Sequence, residues 1–340
     1  MDDKRKKNLR WQIPFLLLLI VGTVLIIRQQ QNMPYQKCTG TIFGTVYNIT
    51  YQYDKDLQQE LVAKMQEVDD ALSMFNEKSI ISHINRNDDV APNEMFLNVF
   101  NLAQQVADDT DGAFDITVAP LVNIWGFGFK RRQTPSRPAV DSLMQLIGHE
   151  KVTFDGKRIV KQDPRIMFDC SAIAKGYGAD VVAGLLDEKG IRNYLVEIGG
   201  EIVTRGINEK RLPWKIGVTK PTDEAMEGNG ELQTVLNVTD RAMATSGNYR
   251  NFYYKGGRRY AHTIDPKTGY PVQHNILSAT VLAERCAVAD AYATSFMVMG
   301  LDKTKKILEK HPDLMAYIIY DDQGQNKIWY SPSLKDKIQE

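Results

Sequence analysis

The feature that most constrains the fold is the order of helix and strand patterns, which do not alternate regularly. Apolar residues recur at helical spacing from Leu57 to Leu72, from Phe96 to Val106 and from Ala287 to Met299. Strand patterns are predicted at Thr41–Tyr53, Leu195–Ile198, Trp214–Val218, Leu232–Val238 and Ile276–Ala283, with a hairpin at Leu314–Tyr330. A doubly wound parallel sheet needs regular strand–helix alternation, so this order predicts an α+β fold.

A second constraint lies at the N-terminus, where an apolar run follows a basic segment. Five basic residues within positions 1–10 precede Ile13–Ile27, and Arg28 follows it. Counted from Trp11, the run is at the short end of the roughly 17–25 residues that span a bilayer. The charge bias predicts a cytoplasmic N-terminus. We therefore expect a cytoplasmic segment (1–10), a transmembrane anchor (11–27), a juxtamembrane linker (28–38) and a folded domain (39–335).

The alternative to an anchor is a cleaved signal peptide. No A-x-A-like cleavage site follows Ile27, so an uncleaved anchor is favoured, although the sequence leaves cleavage open. In a bacterial cell this organisation predicts an inner-membrane protein whose domain faces the periplasm or the cell exterior. The net charge is zero and the sequence has no long basic stripe, so nucleic acid is not expected as a partner.

The densest motif block runs from Ala261 to Pro271. It opens as a strand, and Asp265-Pro266 followed by Gly269 predicts a rigid turn. His262 lies just before this turn, where an imidazole can be aimed at a pocket and can move protons near neutral pH. For an isolated histidine, a structural role in a strand would be the simpler interpretation.

Two other blocks carry oxygen and charge. Asp290 and Thr294 are four residues apart on a predicted helix, so they share one face and offer the hard oxygen ligands that Mg²⁺ prefers. Asp169, at the end of a predicted strand, and Lys175, at the start of the next helix, could contact a ligand and its phosphate or carboxylate. The structural alternatives are a helix-dipole role for Asp290 and helix capping by Asp169.

Two further blocks suit a planar, phosphorylated ligand. Gly112–Gly128 places aromatic rings beside glycines, although core packing explains the rings equally well. Ala244–Arg250 has small hydroxyl residues at a predicted turn before an arginine. The usual Gly-rich nucleotide-binding fingerprints are absent from the sequence, so a nucleotide would be bound in another way.

Taken together, these blocks resemble the ApbE family of FAD:protein FMN transferases in order and spacing along nearly the whole chain after the linker. The resemblance implies a mixed-sheet catalytic domain that cleaves FAD with Mg²⁺ and releases AMP. It also implies attachment of FMN by a phosphoester bond to a Thr or Ser of an exported or membrane-bound acceptor protein. The same-class alternative is a Mg²⁺-dependent FAD pyrophosphatase, and an alternative of another class is a non-catalytic exported flavin-binding protein.

The resemblance also implies a role for each matching residue. His262 is the candidate general base for the acceptor hydroxyl. The implied metal ligands are the side chains of Asp290 and Thr294 and the backbone oxygen of Ala172. The implied FAD contacts are Phe43, Phe75, Ala113, Phe114, Asp115, Asp169, Lys175 and Ile264. Phe75 replaces the Tyr that the family often has, and Phe43 replaces a frequent Met.

Overall fold

The structure, a computed structural model, describes residues 12–24, 33–129, 135–221, 231–248, 252–255, 258–273 and 275–339. Residues 12–24 form helix α1, whose large apolar side chains are exposed. Within the ranges given above, no helix combines the length and apolar composition needed to cross a bilayer. Residues 11 and 25–27 of the expected anchor lie outside the described ranges.

The described residues after α1 contain strands and helices in irregular order. The strands are β1 (Tyr35–Ile42), β2 (Thr45–Gln52), β3 (Val152–Phe154), β4 (Ile159–Lys161), β5 (Tyr194–Ile198), β6 (Glu201–Arg205), β7 (Lys215–Thr219), β8 (Leu232–Asn237), β9 (Ala242–Gly247), β10 (Phe252–Lys255), β11 (Arg258–Ala261), β12 (Ile276–Ala283), β13 (Met315–Asp322), β14 (Gln325–Tyr330) and β15 (Ile338–Gln339). The helices are α2 (Gln58–Leu72), α3 (Ile80–Asn85), α4 (Glu94–Asp109), α5 (Ala119–Ile124), α6 (Arg137–Met144), α7 (Ala174–Glu188), α8 (Cys286–Met299) and α9 (Leu301–Lys310).

Eight strands form the central sheet in the order β1-β2-β5-β6-β9-β12-β13-β14. Every neighbouring pair in this sheet is antiparallel. The α+β prediction is therefore confirmed, but the expected mixed sheet is antiparallel throughout. The physical reason is that tight hairpins join β1 to β2, β5 to β6 and β13 to β14, and a hairpin can only join antiparallel strands.

The two faces of the sheet are buried against different layers. In β13, Ala316 and Ile318 pack in the helical layer, whereas Tyr317 and Ile319 pack against the small β15-β8-β7 sheet. This alternation follows from the two-residue period of a strand. Helix α8 packs on β9, β12 and α7, and α7 also packs on β5 and β6. The two helices therefore lie side by side on one face of the central sheet.

Most predicted elements are confirmed, with three corrections. The expected strand Thr41–Tyr53 is a hairpin that turns at Phe43-Gly44. The hydroxyl-rich block at Ala244 does not form a turn, because Ala244 to Gly247 belong to β9 and pair with β12; Tyr249 and Arg250 lie outside the described residues. The strand expected to end at Asp169 is limited to one isolated bridge.

The boundaries of the folded part also differ from those expected. Strand β1 begins at Tyr35, inside the segment 28–38 that was predicted to be a linker, and Cys38 is buried in the core. At the other end, β15 reaches Gln339, four positions beyond the expected limit at 335. Each of these two strands is the edge strand of a sheet. Pairing with the neighbouring strand explains why these polar segments are folded.

Candidate functional site

A cavity of about 420 Å³ brings together the side chains of nearly all the candidate site residues. Its lining includes Phe75, Ala113, Phe114, Asp115, Asp169, Ala172, Lys175, His262, Ile264, Asp290 and Thr294. Phe43 instead lines an adjoining cavity of about 490 Å³. The two cavities share Phe75, Ser171 and Lys175, so the twelve candidates surround one continuous region.

Phe43 reaches this region through a strained turn. It has a φ of 52° and Gly44 has a φ of 70°, which is the left-handed backbone of a two-residue hairpin turn. A bulky residue is uncommon in this conformation. A Cβ on Gly178 would lie 2.7 Å from the Phe43 ring, so the missing side chain at that helical position makes room for the ring on α7.

Helices α7 and α8 cap each other with carboxylates. Asp290 of α8 accepts a hydrogen bond through Oδ2 from the backbone N–H of Gly176 at 3.0 Å. Asp180 of α7 accepts from the backbone N–H groups of Cys286 at 2.7 Å and Ala287 at 2.9 Å. A Cβ on Gly176 would lie 2.5 Å from the Cys286 carbonyl oxygen, so glycine permits this close approach.

An unpaired backbone oxygen lies just before α7. Gly176 is the third residue of α7, so its N–H is one of those at a helix start that have no partner within the helix, and Asp290 accepts it. Ala172 precedes the helix, and its carbonyl accepts no hydrogen bond from the described residues. The Thr294 hydroxyl is likewise without a partner in the described part of the chain. A carboxylate, a hydroxyl and an unpaired carbonyl are the oxygen donors that suit Mg²⁺, so these residues fit such an ion.

Lys175 lies between two buried carboxylates. Its Nζ atom is 3.3 Å from Oε1 of Glu201 and 3.9 Å from Oδ2 of Asp290. Burial raises the pKa of Glu201 to about 7, because the nearby ammonium offsets only part of the desolvation cost. Burial also raises the pKa of Asp290. The two carboxylates outweigh the desolvation of Lys175 and hold the pKa of its ammonium above the ordinary value.

His262 follows β11 and faces the cavity beside the turn that the sequence predicts. The Asp265 carbonyl accepts from the Gly269 N–H at 2.8 Å, and the Asp265 N–H donates to the Tyr270 carbonyl at 2.9 Å. The buried Trp125 indole donates to the Gly269 carbonyl at 2.8 Å. The His262 ring lies 6.4 Å from that of Phe127, edge to face. The predicted turn is confirmed, and His262 lies directly before it and beside the Phe127 ring.

The segment from Ala113 to Asp115 forms a buried wall of the cavity. Ala113 and Phe114 are buried, and Asp115 accepts hydrogen bonds from the N–H and hydroxyl of Thr117 at 2.8 and 2.7 Å. Burial raises the pKa of Asp115, and the two bonds from Thr117 oppose that rise. At the cavity mouth the ring of Phe75 is 63% exposed, and it contacts that of Phe129 edge to face.

Known proteins resemble this chain in sequence and in fold. The sequence profile of the ApbE family matches residues 43–319. The chain belongs to the ApbE family. A Vibrio cholerae protein named FAD:protein FMN transferase is 37% identical over 319 residues, which is 91% of this chain and 94% of the relative. The protein of that name from Escherichia coli K12 is 33% identical over 309 residues, covering 88% and 87% of the two chains.

Solved structures of ApbE proteins match the fold closely. The flavin transferase ApbE from Vibrio cholerae superposes with a TM-score of 0.82 at 35% identity, covering 90% of this chain and 99% of that one. The ApbE protein of Thermotoga maritima superposes with a TM-score of 0.80 at 28% identity, covering 90% and 100%. The ApbE-like fold expected from the sequence blocks is therefore confirmed.

Two residues of this ApbE chain lie close to the candidate site and were not predicted from the sequence. Glu201 lines the cavity, and Asp180 holds the start of α8. Glu201 directly follows the Gly199-Gly200 pair, a turn signal between two strands, which could have placed it at a strand end near Lys175. Capping of α7 by Asp169 was the structural alternative; instead Asp169 accepts from the Ser171 N–H at 2.8 Å.

Proposed function

We propose that this chain is an FAD:protein FMN transferase that moves FMN from FAD to a Thr or Ser hydroxyl of an acceptor protein. AMP is released, and the reaction depends on Mg²⁺. The observation that carries the proposal is the composition of one cavity, where apolar walls, oxygen donors and a histidine meet. The names of the Vibrio cholerae and Escherichia coli relatives support the same activity.

The cation would be held by the side chains of Asp290 and Thr294 and by the backbone oxygen of Ala172. Bound there, Mg²⁺ would neutralise charge on the phosphate oxygens of FAD. The apolar wall of Ala113, Phe114 and Ile264 suits the flavin rings, which are planar and largely apolar. Phe75 offers its ring face to the same ligand at the cavity mouth.

The residues of the chain then act on the acceptor. His262 accepts the proton of the acceptor hydroxyl, and the oxygen forms a bond to the phosphorus on the FMN side of the pyrophosphate. The bond from that phosphorus to the bridging oxygen breaks, and AMP leaves with this oxygen. A hydroxyl needs such a base because it is a weak nucleophile near neutral pH. The turn at Asp265–Gly269 keeps the imidazole in place.

The test is a direct search for both products. The full chain is incubated with FAD, MgCl₂ and a periplasmic candidate acceptor, and the acceptor is examined by mass spectrometry. We expect FMN attached to a Thr or Ser and one AMP released per FMN transferred. If FMN and AMP form without any labelled acceptor, the chain is a pyrophosphatase. If FAD is bound and stays intact, the protein is a flavin-binding module, and the proposal is wrong.

We also propose that the chain is anchored in the bacterial inner membrane with its catalytic part on the periplasmic or extracytoplasmic side. The support is the basic segment 1–10 before the apolar run, and the exposure of the apolar side chains from Ile13 to Val24. Cell fractionation and N-terminal sequencing test it. A mature protein that begins after Ile27 and is found in the soluble fraction would contradict the anchor.

A further inference from the structure

Glu201 occupies a fixed place between the sheet and the two helices that carry the proposed cation ligands. It is the first residue of β6 and pairs with Ile198 across the Gly199-Gly200 turn. Ile202, the next residue, faces the small β15-β8-β7 sheet, whereas Val203 packs with residues of α7. Because side chains alternate along a strand, Glu201 shares the face of Val203 and points towards α7 and α8.

The Glu201 carboxylate is buried and only half satisfied. The residue is 4% exposed and lines the cavity. One oxygen, Oε1, lies 3.3 Å from Nζ of Lys175, and the other, Oε2, has no hydrogen-bond partner among the described residues. A buried carboxylate oxygen without a partner is costly in a folded protein. Its retention here indicates a role beyond packing.

The Lys175 ammonium faces three protein groups. It lies 3.3 Å from Glu201, 3.4 Å from the Ser171 carbonyl and 3.9 Å from Asp290. The first two distances are within or near hydrogen-bonding range, whereas Asp290 interacts with the ammonium as an ion pair. The ammonium therefore has two carboxylates beside it. Lys175 therefore competes with any cation for Asp290, and Glu201 is its nearer partner.

We propose that Glu201 is a positioning residue that holds the charge of Lys175 and so leaves Asp290 available to a divalent cation. The inference rests on the proposed transferase function, because it concerns the cation site of that function. If Glu201 loses its charge, Asp290 becomes the sole carboxylate facing the ammonium. A cation then has to displace Lys175 from Asp290, and its affinity falls.

The first test measures cation binding without catalysis. Mn²⁺ is titrated into the full chain in the absence of FAD, and free Mn²⁺ is followed by electron paramagnetic resonance. We expect Glu201→Gln to weaken Mn²⁺ binding by roughly 10–100-fold, the usual effect of removing a group that supports a metal ligand. Glu201→Asp keeps the charge and should restore most of the affinity. The matched control is Glu197→Gln on the neighbouring strand, where the carboxylate accepts from Asn48 at 3.1 Å; its Mn²⁺ affinity should stay within about 2-fold of wild type.

The second test separates an indirect role from a direct one. In the double variant Lys175→Met with Glu201→Gln, the ammonium that competes for Asp290 is gone. We expect its Mn²⁺ affinity to recover to within about 10-fold of wild type. If the double variant binds as weakly as Glu201→Gln, then Glu201 does not act through Lys175 and the inference is wrong. If Glu201→Gln alone fails to fold, Lys175→Met becomes the reference: without the ammonium, the added loss of the Glu201 charge should change the Mn²⁺ affinity by less than about 10-fold, and a larger drop would refute the inference.

The outcomes distinguish this inference from the function on which it rests. If the wild-type chain does not bind Mn²⁺, the cation site of the proposed function is wrong. If the wild type binds Mn²⁺ and Glu201→Gln binds it equally well, the function stands and the positioning role is refuted. FAD binding in EDTA, measured by flavin fluorescence, is compared between Lys175→Met and the double variant; equal dissociation constants are expected, and a further rise in the double variant would make Glu201 a substrate contact instead.

Discussion

Replacing Asp180 by alanine would test whether α7 sets the position of α8 and of Asp290, the proposed cation ligand on it. The two oxygens of Asp180 accept the backbone N–H groups of Cys286 and Ala287 at 2.7 and 2.9 Å. Both donor residues are fully buried, so water cannot take the place of the lost carboxylate. Asp290 lies one turn further along α8, so fraying of this helix start would move it.

The magnitude follows from the two donors that lose their partner. A buried donor without a partner costs about 1–3 kcal/mol, and loss of a helix N-cap costs about 0.5–2 kcal/mol. Burial raises the pKa of Asp180 to about 6, so the ionised carboxylate also carries a desolvation cost that its removal relieves. We therefore expect Asp180→Ala to lower the unfolding free energy by about 2–4 kcal/mol.

Urea unfolding at neutral pH, followed by circular dichroism, measures this loss. The matched control is Glu188→Ala on the same helix, whose side chain is exposed and makes no hydrogen bond or ion pair with the described residues. That variant should lose less than about 1 kcal/mol. Mn²⁺ affinity should fall in Asp180→Ala and stay unchanged in the control. Equal losses of stability in the two variants would refute the capping argument.

The remaining predictions concern the reaction and the pH dependence of the unfolding free energy. His262→Asn should bind FAD nearly normally, by flavin fluorescence, yet transfer FMN roughly 10²–10⁴-fold more slowly; near-normal transfer would exclude it as the base. Asp290→Ala should abolish FAD cleavage while the chain stays folded. Asp290→Asn, which can still accept the Gly176 N–H, should lose cation binding with a smaller loss of stability. A folded Asp290→Ala variant that is fully active and still Mg²⁺-dependent would contradict the assignment. Because the pKa of Asp180 is raised from 3.8 to about 6, the native state holds a proton that the unfolded state has released, so the unfolding free energy should fall as pH rises from about 4 to about 6. Urea unfolding across this range should show a shallower fall in Asp180→Asn, and an identical slope would exclude Asp180 as the source.

The helices could be predicted from sequence because their buried faces repeat. In α2, Leu61, Met65, Val68 and Leu72 are all buried, as their spacing predicts. Helix α4 shows the same repeat, whereas α8 is buried on nearly every side; both begin and end within a few residues of the predicted limits. Such a pattern is local to each helix, so tertiary contacts are not needed to recognise it.

The strands were harder, because composition there reflects packing across the sheet. Thr245, Ser246 and Gly247 resemble a turn in sequence, but they pair with β12 near the centre of the sheet. Helix α8 packs directly on β9, and the fully buried Ala244 lies at this contact. Small residues are therefore needed for the close approach of the helix. At Phe43 a turn was predicted to be strand, because nothing in the residue type of a phenylalanine signals that it adopts a φ of 52°.

Only those site residues whose side chains suggest a role by themselves could be predicted from the sequence. His262, Asp290 and Thr294 are recognisable because an imidazole, a carboxylate and a hydroxyl suggest roles by themselves. The roles of Asp180 and Glu201 depend on partners that only the fold supplies; Asp180 caps a helix that begins 106 residues later. No spacing rule connects such positions, so their function becomes visible when α7 and α8 are seen side by side.

The geometry of Asp290 is compatible with both interpretations of this residue. The sequence suggested either a cation ligand or a carboxylate that stabilises its own helix. Asp290 is the fifth residue of α8, and its Oδ2 bonds to Gly176 in the first turn of α7, 114 residues earlier in the chain. One oxygen therefore stabilises the start of a different helix, where the dipole favours negative charge. The other oxygen, Oδ1, accepts no hydrogen bond from the described residues, so it stays available for the cation that we propose. The structural role of Asp290 uses one oxygen and the proposed cation site can use the other, so neither role excludes the other.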